Sequence, residues 1–202
     1  MKNYLLKLLK ENEKSIKVFA ICLIIGLATG FIVFNFLNVD NKKELITSVT
    51  DTLDICKDFN FEKVSVLQNG IKSNLILMCM FVIIALTVVA PIIICVMFFI
   101  KGFAIGIFTA VIFSIFGFWN GILVNVLINI LPNLVYLPAY IFMGIKTIDF
   151  HYFILDNNKV KEKLKQLVIL VYYFAISMSF FFLSIVIEQL LFSIVLKIYM
   201  KN

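Results

Sequence analysis

Glu188 is the residue in this chain whose placement most invites chemistry. It closes a run from Gln166 to Ile187 that carries no charge. A carboxylate in hydrocarbon is costly, so by default it marks a paired or a functional position. Counted along a helix from Gln166, it falls near the far interface, where that cost declines. There it could bind a neighbouring lysine or the headgroup region, or it could serve a subunit contact or transport. Asn125, Asn129 and Asn133 recur at i, i+4 and i+8, which puts three amides on one helical face. They could line an aqueous path. They could equally hydrogen-bond across helices, at about 0.6 kcal/mol each. Pro132 lies among them, and the carbonyls it frees need partners from neighbouring helices or ordered water.

Other reactive side chains are sparse. His151 is the only histidine, and the basic residues are all lysine. No Ser/His/Asp set, zinc-spaced His/Glu pair or phosphate-cradling glycine loop is present. The pattern predicts a non-enzymatic chain with no cofactor and no metal. Cys22, Cys79 and Cys95 lie in apolar runs and Cys56 in a polar one, without metal spacing, so they read as packing residues.

The elements that hold these residues are membrane helices. Between Leu75 and Ile148 the only charges are Lys101 and, near the end, Lys146. That length suffices for about three crossings of a ~30 Å hydrocarbon layer, at roughly 20 residues each. Apolar residues make up 62% of the chain, 15% is charged, and the mean hydropathy is +1.06. A soluble domain would carry about a quarter charged residues. The fold class is therefore all-α: a polytopic integral membrane helical bundle. We expect about five transmembrane helices, one with proline breaks, plus an external amphipathic helix. The net charge of +6 comes from lysines that mostly flank apolar runs. They report orientation in a lipid bilayer and do not indicate a nucleic-acid partner.

Residues 1–17 place Lys7, Lys10, Lys14 and Lys17 at helical spacing, with Leu5, Leu8 and Leu9 on the other side. This describes a basic amphipathic helix on the cytoplasmic membrane surface, with Glu13 supporting Lys17. Residues 18–37 form the first span, read as uncleaved because no A-x-A-like site follows. Residues 38–74 are an extracytoplasmic segment. Asn41 and Glu44 look like a capping box, and Leu45, Val49, Leu53 and Cys56 then recur at helical spacing. That face could dock on the bundle or on a partner.

Residues 75–148 hold the second to fourth spans. The second, Leu75 to Ile100, contains Pro91, and Lys101-Gly102 marks a tight turn. The third runs from Phe103 to Phe118, and Trp119 and Asn120 form an interfacial boundary. The fourth, Gly121 to Ile145, is kinked or split by Pro132 and Pro138. A cytoplasmic hairpin, 149–165, leads to the last span and a short external tail, 166–202.

Lysine asymmetry orients the chain. Residues 1–17 hold five Lys and two Glu, and residues 146–165 five Lys and three acids, against five Lys and six acids in 38–74. An odd number of crossings, with the N-terminus cytoplasmic, fits this distribution. Gly26-x-x-x-Gly30 and Gly102-x-x-x-Gly106, the latter extended by Ala110 and Ser114, let backbones approach closely. They serve contacts within one bundle or a homo-oligomer.

The stretch PIIICVMFFIKGFAIGIFTA, Pro91 to Ala110, resembles the stage II sporulation protein M family. The likeness rests on a proline, an aliphatic run and a Lys-Gly-x-x-x-Gly pattern, here Pro91, Lys101, Gly102 and Gly106. LPNLVYLPA, Leu131 to Ala139, is similar to that family's paired-proline segment. IVIEQ, with Glu188, resembles its carboxylate near the end of the last span. The resemblance extends over essentially the whole chain. Two features depart from it: a shorter spacing from Pro132 to Pro138, and plain aliphatics after Glu188.

The resemblance implies a component of the endospore engulfment machinery, in the cell membrane at the mother-cell side of the sporulation septum. Its partners would be the peptidoglycan-degrading stage II sporulation proteins D and P, which it would localise and scaffold. Leu45, Val49 and Leu53 are the candidate partner surface. Gly102, Gly106, Asn125, Asn129, Asn133 and Glu188 are candidate helix or partner contacts. The alternative is a permease-like membrane subunit of a transporter with a separate ATPase, motivated by the broken fourth span and its asparagines.

Overall fold

The computed structural model describes residues 12–57, 76, 79–87, 89–156 and 160–199. The side chains of 52–57, 189 and 192–199 lie outside that set. Among the described residues all regular structure is helical. Three stretches are long and apolar enough to cross a membrane: Glu13–Phe36, Ala90–Asp156 and Val160–Glu188.

Helix α1, Glu13–Phe36, starts with Glu13 in its first turn, where a carboxylate complements the helix dipole. Glu13 pairs with Lys17 at 2.6 Å, as the spacing predicts. Most of the basic segment 1–17 lies outside the described residues, and its last turn belongs to α1 itself. Helix α2, Val39–Lys57, begins before the expected capping box. The Asn38 carbonyl accepts the Lys42 amide at 3.0 Å, so Asn41 and Glu44 are already inside the helix.

Helix α3, Ala90–Asn125, corrects the expected positions of the turns. Lys101 and Gly102 are mid-helix, and the second and third spans do not divide there. The reversal comes at Gly117, with φ 73° and ψ 177°, a conformation that only glycine adopts without severe strain. Contacts mirror about it: Thr109 meets Asn125, and Phe98 meets Tyr140. The limb before Gly117 is thus antiparallel to the limb after it, and Trp119, 80% exposed, sits at the apex. Nor does Pro91 interrupt a helix. It occupies the first turn of α3, where no amide donor is needed. The residues before it close a turn, Thr87 donating to the Ile84 carbonyl at 2.9 Å.

The prolines of the fourth span do not split it. Val126–Ile130 is a π-helical turn, closed by the Leu131 amide on the Val126 carbonyl, and it lies directly before Pro132. A π-turn shifts the hydrogen-bond register where the proline ring would meet the preceding turn. Helix α4, Leu131–Asp156, then runs through Pro138. Helix α5, Val160–Tyr199, returns beside it, so the helices extend well into the expected hairpin 149–165. Ser184 bonds Pro132, Tyr136 meets Phe181, and Phe142 meets Tyr173, which makes the pair antiparallel.

By contrast, α1 and the first limb of α3 run parallel. Phe19 stacks on Phe98 at 4.3 Å, Leu23 lies at Gly102, and Leu27 lies at Gly106. Phe36 and Ala90 therefore lie at opposite ends of this helix pair. The main core gathers around Tyr140, with Phe19, Phe81, Phe98, Tyr136 and Phe181. Ile24, Ile32, Ile92, Val168 and Phe182 point outward, as a lipid-facing surface requires.

Candidate functional site

Two seams hold the bundle together. In the first, the two glycine motifs face each other. A methyl group built on Gly26 would fall on the Phe99 carbonyl oxygen, and one on Gly30 would fall on that of Phe103. Reciprocally, Gly102 abuts the Leu23 carbonyl and Gly106 that of Leu27. Both motifs are consumed in this intramolecular contact, which leaves neither as a free dimer face. All four residues are buried, and the helices meet backbone to backbone.

The second seam joins α3, α4 and α5 through polar side chains. The Asn129 amide donates to Thr109 Oγ1 at 3.1 Å, to Asn125 Oδ1 at 3.0 Å and to the Ile105 carbonyl at 3.4 Å. Asn133 donates to Asn129 Oδ1 at 2.9 Å and to its carbonyl at 2.8 Å. Thr109 donates to the Ile105 carbonyl at 2.8 Å. Asn125 and Asn129 thus bridge the two limbs around Gly117, and Asn133 braces Asn129 from its own side. Ser184, on α5, ties that helix in by donating to the Pro132 carbonyl at 2.8 Å.

Next to this ladder, the Lys101 ammonium lies 4.1 Å from the centre of the Tyr136 ring, within cation–π range. Tyr136 is clamped edge-on by Phe181 at 4.3 Å and stacks on Tyr140 at 5.4 Å. Glu188, on α5, is exposed on the bundle surface. The Tyr136 and Tyr140 hydroxyls are buried with no hydrogen-bond partner among the described residues.

Helix α2 places the expected partner surface elsewhere. Leu45, Ile46 and Val49 pack against Phe34, Ala110 and Val111, and Val49 also meets the cluster of Ile112, Val124 and Ile128. Leu45 and Val49 are therefore bundle contacts, because burying them there removes apolar area from water. The Leu53 side chain lies outside the described set. The face left exposed is polar, with Asp40, Lys43, Glu44, Thr47 and Asp51.

Thr109, Tyr136 and Ser184 were not singled out in the sequence. Thr109 had one faint signal, as it lies as far before Gly117 as Asn125 lies after it. His151 is buried beside Tyr152, at 5.6 Å between ring centres. Cys22, Cys79 and Cys95 are free thiols. No family model, no curated protein and no solved structure matches this chain. What the fold defines is a helical protein with three stretches long and apolar enough to cross a membrane, and with a polar interior seam.

Proposed function

We propose that this chain is a non-enzymatic integral membrane scaffold that localises and assembles peptidoglycan-degrading enzymes at the sporulation septum during engulfment. It would cross the membrane five times. The helices α1, the two limbs joined at Gly117 and α5 supply four of these crossings. The N-terminus is cytoplasmic, on the lysine asymmetry, and α2 lies outside at the Gly117 end.

One observation carries the reading beyond the resemblance to the stage II sporulation protein M family. Helix α2 is docked by its apolar face, which presents its charged face outward on a rigid support. A scaffold needs a preformed external surface. The polar ladder supports the same reading over the permease-like one, because its amides are spent on one another and on Thr109 rather than turned toward an open path.

The test is capture of the D- and P-type proteins by tagged, detergent-solubilised chain, beside a variant carrying Lys43→Glu, Glu44→Lys and Asp51→Lys. We expect the native chain to capture a partner and the inserted variant to lose it. Clean failure of the folded native chain would sink the scaffold reading and favour the permease-like one.

A further inference from the structure

A cleft of about 260 Å³ opens between the last turns of α4 and the first turns of α5. Its polar lining is Lys146, Asp149 and Gln166, and its apolar walls are Phe150, Ile169 and Leu170. Lys146 is held inward, its side chain 17% exposed, bonded to Asp149 at 2.9 Å and lying 5.4 Å from the Tyr173 ring centre. Asp149 stands at the mouth, 46% exposed. The cleft sits at a boundary: Lys161, Lys163 and Lys165 lie beyond it, and the apolar run of α5 begins at Leu167. On the membrane placement proposed above, that is the depth at which a phospholipid changes from headgroup to acyl chain.

We propose that this cleft binds a phospholipid with a primary-amine zwitterionic headgroup, of the phosphoethanolamine class. Asp149 takes one of the three ammonium donors of Lys146, which leaves N–H groups for a phosphate. The carboxylate at the mouth then faces the lipid's own ammonium, which can donate hydrogen bonds to it. A purely anionic headgroup would meet Asp149 as a like charge, and a choline headgroup has no N–H to offer. Phe150, Ile169 and Leu170 receive the start of an acyl chain. Each charge of the headgroup thus finds its opposite on the wall.

The test uses the purified full chain in detergent and native mass spectrometry with short-chain phosphatidylethanolamine, phosphatidylcholine and phosphatidylglycerol, and with free phosphoethanolamine. We expect the ethanolamine lipid to bind about tenfold or more tightly than the other three probes. Asp149→Asn should erase its advantage over phosphatidylglycerol. Equal retention of the three lipids overturns the headgroup assignment, and free phosphoethanolamine binding as tightly as the lipid overturns the lipid. An unchanged preference in Asp149→Asn also overturns it. The comparison of lipids on the native chain decides the matter even where the variant fails to fold.

Discussion

The α1–α3 seam and the α3–α4–α5 seam solve the same problem by opposite means. The first works by the absence of side chains: Gly26, Gly30, Gly102 and Gly106 let two parallel backbones touch. The second works by their presence, with Asn125, Asn129 and Thr109 bonding across the antiparallel limbs and Asn133 bracing Asn129. In lipid there is no hydrophobic drive between helices, so association rests on close packing and on interhelical hydrogen bonds. This chain assigns one of those forces to each seam. The difference teaches where it will tolerate change: the glycine seam has no slack, and the polar seam loses one bond at a time.

The sharpest way to break the comparison is Gly102→Leu. Its side chain must displace the α1 backbone at Leu23, so we expect a loss of about 3 kcal/mol or more and no monodisperse folded species in detergent. Gly117→Ala makes a useful contrast. A methyl there meets nothing within 4 Å, yet the backbone conformation is strained for alanine. Thermal unfolding should show a smaller loss, on the order of 1–3 kcal/mol. A stability equal to native in Gly102→Leu would show that the seam is loose.

Lys101→Met probes the charged part of the polar seam. Removing the cation takes away its contact with the Tyr136 ring, and we expect a loss of about 1 kcal/mol. Tyr136→Leu in the same chain completes a double-mutant cycle of unfolding energies that measures the coupling. Strict additivity would separate the two residues. The smallest effects belong to the ladder. Asn129→Ala removes donors to three acceptors and should cost about 1 kcal/mol, and Asn133→Ala about 0.6 kcal/mol. If Asn133→Ala were as damaging as Gly102→Leu, the distinction between the seams would fall.

Much of this was legible in the residues. The amide spacing announced a single polar face, and that face is where the ladder forms. The Glu13–Lys17 pair followed from i,i+4 geometry alone. The glycine motifs announced close approach, though nothing local names the partner. The turn was misplaced for a physical reason. Lys101 beside Gly102 has the local chemistry of a loop, since a charge in hydrocarbon normally escapes to water. It stays mid-helix, where the Tyr136 ring, supplied by α4, meets it. Leu45 and Val49 show the same limit: their spacing predicts an apolar stripe, and either cover would satisfy it.

The sequence by itself determined that the chain is helical and apolar enough for a membrane, and which faces of its helices are polar, small or greasy. These are properties of composition and of a 3.6-residue period, and they need no knowledge of neighbours. Only the tertiary structure decided that the reversal falls at Gly117, that Gly26 and Gly30 meet Gly102 and Gly106, and that Lys101 meets the Tyr136 ring. Each of those joins residues distant in the chain, and a distant contact is chosen by the energy of the whole packing rather than by any local preference.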